Sequence, residues 1–212
     1  MPSRRSLLDN WRLMINCPLE SSLNDISGNN YTPTLAAGTE AYTTYDSEDW
    51  INASSTTCII KFNSINQLSF INEFKLELDF VRTSNSGTDE ALIDGYDDAS
   101  KYKGLCFLRW GSYWVGLKFG SGQTNLYGLD TSYSNIQLNT KYRVVMINEQ
   151  NSINVKIINL STMAIVFNVT EATTTYTETS YSYFCLGGGT RYGTKTTRRF
   201  YGYYKNLKLY TR

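Results

Sequence analysis

Two stretches decide the fold of this chain: Pro18-Leu-Glu-Ser-Ser-Leu-Asn-Asp-Ile-Ser-Gly-Asn-Asn-Tyr31 and Phe200-Tyr-Gly-Tyr-Tyr-Lys-Asn-Leu-Lys-Leu-Tyr210. The first is a turn-rich segment that follows an apolar run, residues 13–17. The second alternates apolar and polar residues, which is typical of a strand with one buried face. Together they predict a β-sandwich whose first and last strands lie side by side.

Strand patterns fill the sequence between these two stretches. Residues 74–80, Phe-Lys-Leu-Glu-Leu-Asp-Phe, alternate strictly, and turn residues at 110–112 and 149–152 predict hairpins. Proline occurs only at positions 2, 18 and 33, so nothing later in the chain blocks the pairing of strands. We therefore expect an all-β, antiparallel sandwich of two sheets, formed by one domain over residues 13–212.

The composition excludes several classes of site. The 212 residues are 41% hydrophobic and carry a net charge of +1, which fits one domain with a large core and says little about partners. The chain has no histidine, which excludes Ser-His-Asp and Cys-His catalysis and histidine-ligated metals. Its four cysteines form no CxxC pair and lie beside apolar residues, which predicts buried free thiols; one disulfide is left open.

Residues 1–12 form a basic arm before the domain. The arm lacks the apolar stretch of a signal peptide, and no run has transmembrane length, so we expect synthesis in the cytoplasm and no membrane partner. The arm is a candidate tether to other subunits of an assembly; the alternative is a frayed end that rests on the sandwich. Its candidate docking residues are Arg4, Arg5, Leu7, Leu8 and Trp11.

Several segments, taken in order, resemble the laminin-G-like and concanavalin-A-like jelly rolls of lectins and glucanases. They are the turn Asp25-Ile-Ser-Gly-Asn29, the short strand 58–62, the aromatic strand 70–81, the strands of 142–167, and the ending 186–210 with Gly202 before the last strand. The resemblance implies a jelly roll of two curved antiparallel sheets, with carbohydrate binding or adhesion as its function. Fold alone does not fix function, so the residues have to be weighed separately.

The sharpest enzymatic hypothesis lies on strand 74–82. Glucanases of this architecture carry three carboxylates on one strand face, and retaining hydrolysis needs two of them as nucleophile and acid/base. This chain supplies Glu77 and Asp79, but the third position holds Val81, or Arg82 if a bulge intervenes. Arginine cannot act as the acid/base. We therefore expect no enzyme, and interpret Glu77 and Asp79 as part of a solvated polar face.

An acidic segment at residues 89–98 is a candidate calcium site. Calcium prefers several oxygen ligands from a flexible loop, which Asp94, Asp97 and Asp98 could provide. Some laminin-G-like domains hold calcium at a loop rim, so the resemblance favours Ca²⁺ as the one candidate cofactor. The alternative is an ordinary solvated acidic loop without a metal.

Aromatic residues provide the candidate glycan site. The chain has 17 Tyr, 4 Trp and 9 Phe, and aromatic faces stack on sugar rings while polar groups reach the hydroxyls. We expect a sugar platform, if one exists, at Trp110, Tyr113, Tyr96 and Asn125. The alternative is that most of these aromatics belong to the core or to a subunit interface.

Basic residues crowd the C-terminal end among tyrosines. This pattern can bind single-stranded nucleic acid, but it is also typical of an ordinary exposed strand face. Of the functional alternatives, docking onto an acidic partner or an anionic glycan is favoured over nucleic acid. Without an export signal, a glycan-binding protein reaches the outside most simply by host lysis. We therefore expect a non-catalytic, lectin-like attachment module on a phage virion surface, as a homo-oligomeric head fibre, decoration or tail-associated protein. The competing hypothesis is a purely structural decoration protein, with glycoside hydrolysis third.

Overall fold

The structure is a computed structural model that describes residues 11–52, 58–63, 73–84, 89–94, 106–110, 113–118, 136–149, 152–172, 183–188 and 200–212. These ranges contain strands and no helix, and so no helix there that could cross a membrane. The strands are β1 (Arg12–Cys17), β2 (Thr34–Ala37), β3 (Tyr42–Tyr45), β4 (Glu48–Asn52), β5 (Ile59–Asn63), β6 (Phe74–Arg82), β7 (Asp89–Asp94), β8 (Cys106–Trp110), β9 (Tyr113–Lys118), β10 (Lys141–Glu149), β11 (Ser152–Asn159), β12 (Ile165–Ala172), β13 (Tyr183–Leu186) and β14 (Gly202–Thr211).

The strands form two antiparallel sheets. The larger sheet has eight strands in the order β12-β11-β10-β6-β14-β4-β3, with β1 paired to β14, and the smaller has six in the order β2-β5-β13-β7-β8-β9. Strand β1 pairs with β14 from Arg12 opposite Thr211 to Cys17 opposite Leu207. The predicted all-β, two-sheet sandwich with adjacent terminal strands is confirmed.

Alternating apolar side chains build the core between the sheets. Phe74, Leu76, Leu78 and Phe80 of β6 are all fully buried, as the sequence pattern predicts. Burying each such side chain stabilises the fold by about 1.5–3 kcal/mol. The cysteines Cys17, Cys58 and Cys185 are buried free thiols, which confirms that prediction for the three whose side chains are described.

A tyrosine joins the two sheets through the core. The hydroxyl of Tyr204, on β14 of the larger sheet, donates to the carbonyl of Leu92 at 3.2 Å and accepts from the N–H of Gly187 at 2.9 Å. Leu92 lies on β7, and Gly187 directly follows β13, so both partners belong to the smaller sheet. Burial raises the pKa of Tyr204 well above its ordinary value, so the hydroxyl stays protonated and keeps this bond.

A buried ion pair makes a second link between the sheets. Arg82 of β6 and Glu90 of β7 lie 2.7 Å apart, with side chains that are 1% and 0% exposed. The alternative of an ordinary solvated acidic loop at residues 89–98 is therefore wrong for residues 89–94. These residues form β7, and its apolar residues 91–93 are buried in the core. Removing one partner of a buried pair costs about 3–5 kcal/mol, so this contact fixes how the sheets stack.

The turn after β1 is organised around one carboxylate. Asp25 accepts hydrogen bonds from the backbone N–H groups of Asn16, Ser27 and Tyr31 at 2.9–3.0 Å, and from the Ser27 hydroxyl at 2.8 Å. Partial burial works to raise the pKa of Asp25, but these hydrogen bonds outweigh it and hold the pKa below its ordinary value. The turn-rich segment is thus bonded to the strand that precedes it.

We expect Asp25→Asn to lower the free energy of unfolding by about 1–3 kcal/mol at pH 7. The substitution replaces one of the two accepting oxygens with an NH₂ group, which donates hydrogen bonds and cannot accept them. The depressed pKa means that Asp25 stabilises the protein above the ordinary carboxyl pKa and that this contribution is lost as the pH falls through the folded-state value. Urea unfolding at pH 7 and at pH 3 measures both effects. Asn24→Ala, an exposed change in the same turn, is the control, and equal stabilities of Asp25→Asn and Asn24→Ala at pH 7 would contradict the assignment.

Candidate functional site

Polar side chains cover the face of the larger sheet that points away from the core, which we call the outer face. It includes Lys75, Glu77 and Asp79 of β6, which alternate along the strand with the core residues Phe74, Leu76, Leu78 and Phe80. Arg143 of β10 and Lys205 of β14 are the register partners of Asp79 on the two neighbouring strands. The outer face is where the sequence places the candidate catalytic carboxylates.

Asp79 is buried on the outer face, with 3% of its surface exposed. Its carboxylate accepts hydrogen bonds from Arg143 Nε at 2.6 Å, Arg143 Nη2 at 2.9 Å and Asn206 Nδ2 at 2.9 Å. The expectation of a solvated Asp79 is wrong, because donors from both neighbouring strands surround it. The hydrogen bond to Asp79 also raises the pKa of Arg143.

Asn206 marks a bulge in β14. Its φ is 52°, in the left-handed region that asparagine tolerates better than most residues, and the register with β6 shifts between Lys205 and Lys208. Its backbone N–H donates to the carbonyl of Pro18 at 2.9 Å. On one side of this bulge β14 pairs with β4, and on the other side it pairs with β1. The bulge therefore sets the point where β14 exchanges one partner strand for another.

Glu77 is also engaged in an ion pair. Lys75 Nζ lies 2.6 Å from Glu77 Oε1. At the third position of the glucanase pattern, Val81 is fully buried, and Arg82 is used in the pair with Glu90. Strand β6 thus presents two carboxylates that already have cationic partners, and no third acid on the same strand face.

Strands β3 and β4 form a hairpin, residues 42–52, that we call the flap. Its two-residue turn, Asp46-Ser47, has φ values of 51° and 64°, as a type I′ turn requires. Strand β4 pairs with β14 only at Ile51 and Asn52. Past those residues the edge of β14 is occupied by β1, so the tip of the flap has to leave the sheet.

The tip of the flap reaches the start of β10. The hydroxyl of Tyr45 donates to the carbonyl of Asn139 at 2.6 Å, and Lys141 Nζ lies 2.6 Å from Asp46 Oδ2. Strand β10 lies four places from β3 in the order of the sheet, which in a flat sheet would separate them by roughly 19 Å. The flap therefore folds over the outer face, across β14 and β6.

Aromatic rings and two lysines lie together where the flap covers the sheet. Trp50 of the flap is 1% exposed, and Lys205 Nζ lies 5.7 Å from the centroid of its ring. The ring centroids of Tyr45 and Tyr203 lie 5.6 Å apart. Among the residues that the structure describes, the indole Nε1 of Trp50 has no hydrogen-bond partner.

The second lysine, Lys141, shares a carboxylate with Lys205. Glu48 Oε2 lies 3.3 Å from Lys141 Nζ and 3.9 Å from Lys205 Nζ. The lysine side chains are only 15% and 10% exposed, whereas that of Glu48 is 46% exposed. Glu20, from the turn after β1, pairs with Lys205 at 2.9 Å. The arrangement is a pair of nearly buried cations closed from outside by exposed acids.

The residues predicted as a sugar platform are only partly described. Trp110 and Tyr113 are register partners at the end of the β8–β9 hairpin, as the predicted turn at 110–112 requires. Tyr96 and Asn125 lie outside the described residues. The backbone therefore brings Trp110 and Tyr113 together across the hairpin.

Of the three candidate calcium ligands, the structure describes one. Asp94 is the last residue of β7 and is fully buried, while Asp97 and Asp98 lie outside the described residues. No group of three or more acidic or cysteine side chains suited to a metal occurs in the part of the chain that the structure covers. Asp94 thus lies in a strand of the smaller sheet, where a flexible loop was expected.

The described part of the arm is held by the C-terminal residue. The guanidinium of Arg212 lies 4.4 Å from the ring centroid of Trp11, and it also pairs with Glu73 at 3.2 Å and Glu149 at 3.0 Å. Arg4, Arg5, Leu7 and Leu8 lie outside the described residues. Part of the basic charge at the C-terminal end is therefore used within the chain.

No protein-family model and no curated protein sequence matches this chain. Solved structures do match in fold. Domain 4 of AbnA, a GH43 extracellular arabinanase from Geobacillus stearothermophilus in complex with arabinotriose, is 14% identical with a TM-score of 0.62, over 96% of this chain and 94% of that one. The CBM2 module of the Lactobacillus casei BL23 phage J-1 evolved Dit is 8% identical with a TM-score of 0.57, over 94% and 95%.

A third similar structure is larger than this chain. Tailspike protein 2 of the Escherichia coli O157:H7 bacteriophage CAB120 is 11% identical with a TM-score of 0.57, and the match covers 84% of this chain and 25% of the tailspike. At these identities the likeness shows a shared fold. That fold occurs in domains of phage tail proteins and of a carbohydrate-active enzyme.

We expect a double-mutant cycle to find strong coupling between Asp79 and Arg143, of about 1–3 kcal/mol, because the pair is bidentate and the carboxylate is buried. The variants are Asp79→Asn, Arg143→Gln and their combination, compared by urea unfolding. The Lys75–Glu77 pair, whose carboxylate is 17% exposed against 4% for Asp79, is the matched control on the same face, and its coupling should stay below about 1 kcal/mol. Equal coupling in the two cycles would show that Asp79 is not the organising contact.

Proposed function

We propose that this protein is a non-catalytic, lectin-like attachment module that binds glycan on the surface of a phage virion. The observation that carries the proposal is the likeness, over nearly the whole length of both chains, to the arabinotriose-bound domain of the arabinanase and to the module of the phage Dit. These domains match this chain from end to end. The proposal therefore concerns a whole folded unit.

The state of the β6 carboxylates supports binding without cleavage. A retaining glycosidase needs one carboxylate free to attack and a second able to give and take a proton. Here Asp79 is buried in contact with Arg143, and Glu77 is paired with Lys75. Both carboxylates are thus engaged in contacts within the sheet, which supports a structural use of these groups.

Trp110 and Tyr113 are the proposed contacts to neutral sugar rings, together with Tyr96 and Asn125. The register of β8 and β9 places these two residues opposite each other, and aromatic residues of this kind stack on sugar rings. Residues 1–12 are proposed to fasten the module to neighbouring subunits, with the protein acting as a homo-oligomer.

A purely structural decoration role is the second candidate. It is favoured by the exposed apolar side chains at and before the edge strand β12, where Ile165 is 56% and Met163 70% exposed. Exposed apolar groups beside a sheet edge suit contact with another protein. A stable oligomer together with no hits on a glycan array would favour this role over glycan binding.

We expect a glycan array to give hits with the wild-type protein, and Trp110→Ala to weaken binding of a hit about tenfold or more by titration calorimetry, because a stacking surface is lost. Met163→Ala, an exposed apolar change on the β11–β12 turn, should leave the affinity unchanged. Equal affinity of wild type and Trp110→Ala would exclude this platform.

We expect no reducing ends to be released when the protein is incubated with β-glucans. Glu77→Gln is the control variant, because it removes the remaining nucleophile candidate while keeping its size. Turnover by the wild type that disappears in Glu77→Gln would overturn the non-catalytic assignment.

A further inference from the structure

The covered part of the outer face combines features that a structural ion-pair network does not need. Lys141 and Lys205 belong to the sheet itself, on β10 and β14, and their ammonium groups both face one oxygen of Glu48. Taking two cations out of water costs free energy unless a strong partner offsets it. Glu48 is a weak partner, since almost half of its side chain is exposed. Lys141 also pairs with Asp46 at 2.6 Å, and Lys205 pairs with Glu20 at 2.9 Å; the side chains of these acids are 70% and 48% exposed. The two cations therefore form an anion site that exposed acids of the protein itself fill.

The acids that close this site come from elements that can move away without breaking the sheet. Glu48 lies on the flap tip beyond the last residue of β4 that pairs with β14, and Glu20 lies in the turn after β1. The tip contacts the start of β10 through the Tyr45 hydrogen bond and through the ion pairs of Lys141 with Asp46 and Glu48, whose side chains are 70% and 46% exposed. Exposed ion pairs of this kind contribute little to stability.

The surroundings of the lysines match a sugar and not a bare ion. The ring centroids of Tyr45, next to Asp46, and of Tyr203, two residues from Lys205, lie 5.6 Å apart, and Lys205 Nζ lies 5.7 Å from the centroid of the Trp50 ring. The Trp50 Nε1–H, buried and without an acceptor among the described residues, is a donor that a ligand hydroxyl could satisfy. Burying such a donor unbonded carries a penalty, which makes it a separate indication of an absent ligand.

We propose that the region beneath the flap binds a carboxylate-bearing saccharide, and that Glu48 occupies the place of the ligand carboxylate in the unliganded protein. This inference rests on the glycan-binding function proposed above and names a second site and ligand class for it. Exchanging one carboxylate for another keeps the charge beside Lys141 and Lys205 constant. The tyrosine rings and the Trp50 donor then supply the contacts to the sugar that Glu48 cannot make.

The test is titration calorimetry of the full chain with trigalacturonate and with 3′-sialyllactose, and with arabinotriose as an uncharged saccharide. We expect the wild type to bind at least one carboxylated probe. Lys141→Gln and Lys205→Gln should each weaken that binding about tenfold or more, because a charge-assisted contact is lost. Lys208→Gln, on the same strand as Lys205, is the matched control and should leave the affinity unchanged.

Glu48→Gln is the decisive variant, because it removes the competitor and leaves both lysines and the sheet intact. We expect it to bind the carboxylated probe more tightly than the wild type, about tenfold or less, since the neutral side chain interacts less strongly with the two lysines and is displaced more easily. Equal or weaker affinity in Glu48→Gln would overturn the inference. No binding of either carboxylated probe by wild type and Glu48→Gln would do the same.

The outcome also separates this inference from the proposed function. Binding of sugar that depends on Trp110 but not on Lys141 or Lys205 would refute the site beneath the flap and leave the attachment function standing. If the wild type bound no glycan at all, both the site beneath the flap and the attachment function would be refuted.

Discussion

The three hydrogen bonds that Asp79 accepts from Arg143 and Asn206 decide the form of the larger sheet. They join β10, β6 and β14 at one point and hold Asn206 in its left-handed conformation. That bulge ends the pairing of β14 with β4 and begins its pairing with β1. Because β4 loses its neighbour there, the flap is free to turn over the outer face. One buried carboxylate thus underlies both the regular sheet and the irregular hairpin that covers it.

The same contact changes what the outer face can do. Both oxygens of the Asp79 carboxylate accept hydrogen bonds from side chains of the neighbouring strands, so this group is used within the sheet. The flap brings together two cations, aromatic rings and exposed acids, which are the groups of the ligand site proposed above. The buried charges of Asp79 and of the Arg82–Glu90 pair therefore stabilise the arrangement of the strands. The exposed acids Glu20, Asp46 and Glu48 lie where the flap covers the sheet.

Features with local causes could be predicted from the sequence. The alternation of residues 74–80 and 200–210 gave the correct buried faces, and the Asp25 turn is made by residues close in sequence. The burial of Asp79 could not be foreseen, because its donors lie 64 and 127 residues away. The flap was missed because residues 42–52 alternate weakly and its tip is held by β10, 94 residues from Tyr45 in the Asn139 contact. The only local signal was a two-residue Asp-Ser turn between short polar runs.

The buried thiols have a consequence for where the fold can persist. Burial, with a smaller effect from nearby Asp25, raises the pKa of Cys17 to about 12, and burial also raises the pKa of Cys58. A sulfur that stays protonated is a poor nucleophile toward peroxides and disulfides. Cys17 and Cys58 are therefore expected to react slowly with oxidants, so passage from a reducing compartment into air should leave these two side chains unchanged.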